Sequence, residues 1–116
     1  DVDTIGAMKI RALCPDATLI YILPPSWDEL KSRLSSTGIY NEEEVNALME
    51  IAEEEISCAN SYDYILVNDT ISNTLSRFAQ IIHSNRYSRN CMKEFLDSYI
   101  DGEVKPHVQS YKEALL

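Results

Sequence analysis

Two short apolar runs alternate along the chain with stretches that have helical spacing. The first run covers residues 17–23 (ATLIYIL) and lies between prolines, and the second covers residues 64–67 (YILV). Continuous apolar runs of this length are typical of strands that are covered on both faces, as in a parallel sheet. The sequence therefore predicts two buried strands separated by helices.

The first two predicted helices lie on either side of the first strand. Residues 6–13 place Ala7 and Ile10 on one face, and Pro15 ends the pattern. After the strand and a Pro-Pro turn, Ser26 and Glu29 form a capping box at the start of a helix over residues 27–34.

Two further helices are predicted from a capping residue and from the spacing of apolar residues. Asn41 is expected to cap a helix whose first turn is acidic, which suits the positive end of the helix dipole. The apolar stripe of that helix comprises Val45, Leu48, Met49, Ala52 and Ile56. The stripe of the helix after the second strand comprises Ile71, Leu75, Phe78, Ile81 and Ile82. Strands that alternate with such helices predict an α/β fold with a parallel sheet.

The pattern weakens after about residue 85. A helix over residues 91–100 is expected to end at Gly102, and Pro106 interrupts the residues after it. We therefore predict a main region over residues 1–86 and a helical or partly disordered tail over residues 87–116.

Charge and composition exclude several classes of protein. The 116 residues suffice for one small domain, and the formal net charge is −9. An acidic surface repels phosphodiester backbones, so nucleic acid is not an expected partner. No apolar run approaches the ~20 residues of a membrane helix, and the first residues lack the basic start of a signal peptide. A cytoplasmic location and no membrane partner are expected.

The cysteines and glutamates of the sequence do not form a predicted metal site. Cys14, Cys58 and Cys91 are widely spaced and form no CxxC pair, so a disulfide framework or a zinc site is not expected. The glutamate runs at residues 42–44 and 53–55 are more typical of a solvated helix face than of a metal centre. No metal ligands are assigned.

A series of motifs over residues 1 to about 84 resembles guanylate kinase. PDAxxIxILPPSxxELxxRL is followed at the expected distance by YDYxxVND. Each motif alone is weak, but the combination matches the C-terminal half of that family. The resemblance implies a three-layer, P-loop NTPase-like fold of the nucleoside monophosphate kinase type. It also implies phosphoryl transfer from ATP to GMP with Mg²⁺, which depends on positioning and charge neutralisation.

Two nucleotide-binding elements of the family do not occur in this sequence. There is no GxxxxGK[ST] loop, and the GMP-binding segment that precedes DVD in the family is missing. In the family the sheet order is 2-3-1-4-5, and the central strand carries the phosphate-binding loop. The resemblance therefore predicts a partial fold without that strand. The edge left open is expected to promote self-association.

The family's lid corresponds to residues 33–58. Family members have three arginines there that contact phosphates. The first matches Arg33, whereas the other two fall, without a gap, on Thr37 and Leu48. Losing an arginine of this type costs on the order of 10³-fold in rate. The segment thus resembles a phosphate lid with most of its charge removed.

The remaining family positions are better matched. Asp1 corresponds to an acid near the magnesium and phosphates, and Asp3 to an acid that contacts guanine. Ile5 replaces a family glutamine, and Asn68 corresponds to an asparagine near the adenine of ATP. Without the resemblance, the two aspartates would be interpreted as loop acids. Arg33 would be a surface helix residue, and Asn68 part of a helix-capping turn.

The sequence leaves three hypotheses. The chain, which begins with Asp1 and not Met, is interpreted first as a truncated and inactive guanylate kinase homologue that binds neither ATP nor Mg²⁺ tightly. A second hypothesis is a guanylate kinase-like protein-interaction module. A third is a fragment of an intact, active guanylate kinase that binds GMP and ATP.

Overall fold

The computed structural model describes residues 1–102 of the chain. The chain divides into two units, Asp1–Ala79 and Gln80–Leu116. The helices are α1 (Thr4–Leu13), α2 (Trp27–Ser36), α3 (Glu42–Ile56), α4 (Ile71–Asn85) and α5 (Lys93–Ile100). The strands are β1 (Ile20–Leu23) and β2 (Tyr64–Val67), and a 3-10 helix covers Ser57–Ser61.

The two strands form a parallel pair. Ile20 pairs with Tyr64 and Leu23 pairs with Val67, and α2, α3 and the 3-10 helix make the connection between the strands. The predicted α/β class with a parallel sheet and flanking helices is therefore confirmed. The strand in the first apolar run begins only at Ile20, later than the run itself.

The sheet is less covered than the apolar runs predicted. The most deeply buried of the described apolar residues are Ala7, Leu19, Val45 and Leu66. In contrast, Ile22 is 53% exposed and Ile65 is 50% exposed. The prediction of strands covered on both faces is wrong for the described residues. The sheet within residues 1–102 has two strands, so each of them is an edge strand.

The predicted N-caps of α2 and α3 are present, whereas α1 begins at Thr4, two residues before the predicted start. The Asn41 side chain accepts from the Glu44 N–H, and the Glu44 carboxylate accepts from the Asn41 N–H, both at 2.8 Å. Ser26 Oγ accepts from the Glu29 N–H at 3.1 Å, which confirms half of the expected capping box. The Glu29 carboxylate instead accepts a hydrogen bond from Arg33 Nε at 2.8 Å, because this ion pair forms along the same helix face.

The last helices form where the periodicity placed them. α4 spans Ile71–Asn85, but Ile71 is 80% exposed and Leu75 is 62% exposed. Periodicity therefore predicted the helix but not the burial of its stripe. The tail helix is confirmed as α5, and Gly102 follows its end with a φ of 89°, which glycine adopts without strain. The predictions for residues 103–116, including Pro106, lie outside the described residues.

Candidate functional site

Arg33 links α2 to the loop between β2 and α4. Its Nε donates to Glu29 at 2.8 Å, and its Nη2 donates to the carbonyl oxygen of Asp69 at 3.2 Å. The Arg33 side chain is 37% exposed, so part of the guanidinium still faces solvent. Arg33 is thus bonded to the residue that directly follows Asn68, another residue that the sequence singled out.

The loop after β2 is held by hydrogen bonds from several directions. The N–H of Asn68 donates to the carbonyl of Leu23 at 2.7 Å, which continues the strand pairing by one residue. The Asn68 amide lies 3.1 Å from the hydroxyl of Thr74. Thr70 precedes α4, and its Oγ1 accepts from the Asn73 N–H at 3.2 Å. Thr70 is therefore the capping residue of the predicted turn, and Asn68 is left half-buried at the end of the strand.

Asp69 is bonded on several sides in this loop. Its carboxylate accepts from the Thr70 N–H at 2.7 Å and from the Asn73 amide at 3.3 Å, and it pairs with Arg77 at 3.0 Å. The hydrogen bond from the Thr70 N–H is the main cause that lowers the pKa of Asp69, and Asn73 and Arg77 lower it further. Asp69 is therefore ionised near neutral pH, and its bonds hold the loop that contains Asn68 in place.

The two N-terminal aspartates lie at the start of α1. Asp3 is the N-cap, and its Oδ1 accepts from the Gly6 N–H at 2.6 Å. A Cβ at position 6 would lie 2.9 Å from that oxygen, so a larger residue there would require the Asp3 side chain to shift. Val2 lies in neither of the two strands. Within residues 1–102, no hydrogen bond or ion pair joins Asp1 or Asp3 to Arg33 or Asn68.

The resemblance matches Thr37 and Leu48 to two of the lid arginines, and neither side chain carries a charge. The Thr37 hydroxyl donates to the Leu34 carbonyl at 2.8 Å and accepts from the Ile39 N–H at 3.3 Å. Leu48 is half-buried on α3. Residues 33–58 contain seven glutamates and a single basic residue, Arg33, so the net charge of this segment disfavours an anion.

An ion pair that the sequence did not reveal joins distant parts of the first unit. Arg11 Nη2 lies 2.6 Å from the Asp63 carboxylate, which also accepts from the Leu19 N–H at 2.7 Å. Arg11 Nη1 donates to the carbonyls of Pro15 and Ala17 at 3.1 and 3.2 Å. Asp63 belongs to the YDY motif, but nothing local identifies a partner 52 residues away.

The Asp63 contacts predict a pH-dependent contribution to stability. Burial raises the pKa of Asp63, but the hydrogen bond from Leu19 and the charge of Arg11 outweigh it and lower that pKa. A carboxyl with a lowered folded-state pKa stabilises the fold above its unfolded pKa, and the stabilisation is lost as the pH falls through the folded value. We expect Asp63→Asn to destabilise the chain by about 1 kcal/mol at pH 7, since the pair is partly exposed.

Thermal melts between pH 2 and pH 7 test this expectation. The difference between wild type and Asp63→Asn should shrink at acid pH, where the wild-type carboxyl is protonated. Asp97→Asn is the control, because Asp97 forms an exposed pair with Lys93 within α5. An Asp63→Asn deficit that stays constant down to pH 2 would contradict the assignment.

The described residues hold neither a metal cluster nor a membrane-spanning helix. No group of three or more His, Cys, Asp or Glu residues within residues 1–102 is arranged to hold a metal ion. Cys14, Cys58 and Cys91 are free thiols. Among the described helices, none has both the length and the apolar character needed to cross a bilayer.

Comparisons with known proteins agree with the motif series. A sequence model of the family "Guanylate kinase" matches residues 1–85 of this chain. The chain belongs to the guanylate kinase family. The α/β arrangement of β1 and β2 with their helices is accordingly a partial fold of the nucleoside monophosphate kinase type, as the resemblance implied.

Individual guanylate kinases are similar over most of this chain. A guanylate kinase of Francisella tularensis is 43% identical over 86 residues, which are 73% of this chain and 45% of that protein. One from Halalkalibacterium halodurans is 31% identical over 103 residues, 89% of this chain and 50% of that protein. One from Clostridium acetobutylicum is 33% identical over 112 residues, 96% of this chain and 52% of that protein. The chain spans about half the length of the curated relatives it matches.

Proposed function

We propose that this chain carries the lid and the base-binding loop of a guanylate kinase-type phosphotransferase, whose family reaction converts ATP and GMP to ADP and GDP. The observation that carries the proposal is the hydrogen bond between Arg33 and the Asp69 carbonyl. In this bond the single basic residue of the lid segment contacts the residue that follows Asn68. This contact supports assigning phosphate binding to Arg33 and base binding to Asn68.

Each residue keeps a limited role in this proposal. Arg33 has donors left after its bonds to Glu29 and Asp69, and these can reach a phosphate. Asn68 contacts the adenine. Asp3 contacts guanine with the carboxylate oxygen that does not cap α1. Thr37 and Leu48 supply no charge, so the lid neutralises little of the charge that develops on the transferred phosphoryl group.

ATP and Mg²⁺ are the groups that the family reaction requires. Mg²⁺ is bound through one or two carboxylates together with water and substrate phosphates. Asp1 is an exposed carboxylate that can serve as one such ligand. Mg²⁺ would neutralise phosphate charge there, and a lone carboxylate gives weak binding. We propose that the 116-residue polypeptide binds neither group tightly and does not by itself phosphorylate GMP.

The same residue roles apply in a longer protein that contains this chain. The share of each relative that is matched supports the alternative that these residues form part of an intact guanylate kinase. The exposed stripe on α4, with Ile71 and Leu75, favours the second alternative, a protein-interaction module. The cytoplasmic location stays a prediction.

Nucleotide binding by the 116-residue chain is expected to be weak and local. Calorimetric heats with ATP and with GMP should be too small to fit, which corresponds to a dissociation constant of about 1 mM or weaker. NMR titration with ATP should shift the amides near Asn68 and Arg33. Arg33→Met should abolish those shifts.

Lys31→Met is the matched control for Arg33→Met. Lys31 is an exposed cation on the same helix, two residues away. The control should leave the ATP-induced shifts unchanged. A micromolar dissociation constant for either nucleotide, or shifts that survive Arg33→Met, would contradict the proposal.

A further inference from the structure

The Thr74 hydroxyl lies between two oxygen positions but has one hydrogen to donate. Its Oγ1 is 2.7 Å from the carbonyl oxygen of Thr70 and 3.1 Å from the amide atom of Asn68 placed as Oδ1. The contact with Thr70 is shorter and is the usual bond of a helical threonine to the carbonyl four residues earlier. The hydroxyl hydrogen therefore goes to Thr70, and Thr74 turns a lone pair toward Asn68.

That lone pair determines which end of the Asn68 amide faces Thr74. The oxygen and nitrogen of a primary amide have nearly the same shape, so hydrogen bonds distinguish them. An amide oxygen would meet the Thr74 lone pair as a second acceptor, whereas an amide NH₂ donates to it. Nδ2 of Asn68 therefore belongs toward Thr74, and Oδ1 faces away from it.

The backbone that carries the Asn68 side chain is held on both sides. The Asn68 backbone N–H is bonded to Leu23, and the next residue, Asp69, is held by Arg33 through its carbonyl and by Arg77 through its carboxylate. With the backbone held, the contact with Thr74 determines the orientation of the Asn68 amide.

We propose that Thr74 is a positioning residue that turns the Asn68 amide oxygen toward the nucleotide base and thereby favours 6-aminopurines over 6-oxopurines. An outward amide oxygen accepts a hydrogen bond from the 6-amino group of adenine. The same oxygen meets the 6-oxo group of hypoxanthine or guanine as a second acceptor, which leaves both unsatisfied. The inference rests on the proposed function, because it places the base at Asn68.

The amide orientation is tested first without nucleotide, by NMR on the full isotope-labelled chain. Wild type and Thr74→Ser, which keeps the hydroxyl, should show nuclear Overhauser contacts between the Asn68 NH₂ hydrogens and the residue 74 side chain. Those hydrogens should also exchange slowly with water. In Thr74→Val, which has the same shape without the hydroxyl, exchange should accelerate. Equal exchange in all three proteins, or no such contacts in wild type, overturns the orientation.

The preference for the base is tested by titrating the same three proteins with ATP and with inosine 5′-triphosphate. These probes differ in the 6-substituent and in a hydrogen-bond donor at N1. Wild type and Thr74→Ser should bind ATP about 5-fold more tightly than inosine 5′-triphosphate. This ratio corresponds to one net hydrogen bond. Thr74→Val should bind both with a ratio of about 1, because its amide is free to turn.

Each result of this titration is decisive. An unchanged preference in Thr74→Val, or a wild-type preference for inosine 5′-triphosphate, overturns the role of Thr74 in specificity. If neither nucleotide shifts the Asn68 region, the base is not bound there, and the proposed function fails together with the base preference. The measurement without nucleotide still decides the amide orientation in that case.

Discussion

Returning arginine to positions 37 and 48 is expected to raise phosphoryl transfer by about 10³-fold in a complete enzyme built on this chain. Such an enzyme can be made by joining residues 1–85 to the N-terminal half of the Halalkalibacterium halodurans guanylate kinase. Thr37 is the C-cap that follows α2 and is exposed, so an arginine there is free to reach a phosphate. Leu48 is half-buried, and the aliphatic stem of an arginine can cover the same surface.

The comparison requires a control of equal charge. Ser35→Arg with Asn46→Arg adds two arginines at exposed positions of α2 and α3 that do not correspond to the lid arginines. ADP release with ATP, GMP and Mg²⁺ is measured for the parent chimera, the lid variant and the control. Equal gains in the lid variant and the control would show that net charge, and not the lid positions, limits transfer.

Self-association of the 116-residue chain is the second large effect that we expect. In the part of the chain that the structure describes, β1 pairs on one side with β2. Its other side presents unpaired backbone groups next to Ile22, which is 53% exposed. An open, apolar edge of this kind recruits another strand. Light scattering should therefore give a mass above that of the monomer, or the thermal melt should be broad.

Two variants separate the sheet edge from other causes of association. Ile22→Lys places a charge at the edge and should reduce association, whereas Ile39→Lys changes an exposed residue outside the sheet and should not. A chain that ends at Arg86 tests whether residues 87–116 cover the edge, in which case its removal increases association. A monodisperse monomer with a sharp melt, unaffected by removing residues 87–116, would refute the edge argument.

Local signals in the sequence predicted the elements well. Asn41 caps α3 as predicted, and Glu44 completes a capping box with it, because both partners lie within one helical turn and need no other part of the fold. Apolar periodicity located α3 and α4 for the same reason. Burial was predicted poorly, since the exposure of Ile65 and Leu75 depends on which other elements lie against them.

The candidate site depends on contacts that no local pattern encodes. Arg33 meets the carbonyl of Asp69 across 36 residues, and Arg11 meets Asp63 across 52 residues. The motif series identified the family and pointed to Arg33 and Asn68. It gave no sign that Asp69 joins α2 to α4 or that Thr74 faces the Asn68 amide. The contacts across 36 and 52 residues follow from the strand register, which only the folded chain fixes. The contact between Thr74 and Asn68 depends on the turn that leads into α4.

Our main proposal is that this chain, a member of the guanylate kinase family, has too little phosphate-binding charge to transfer a phosphoryl group by itself. The direct test is a coupled ADP-release assay on the 116-residue polypeptide with ATP, GMP and Mg²⁺, with Asp3→Asn measured in parallel. We expect no turnover above buffer for either protein. Turnover clearly above buffer in the wild-type chain, abolished by Asp3→Asn, would contradict the proposal.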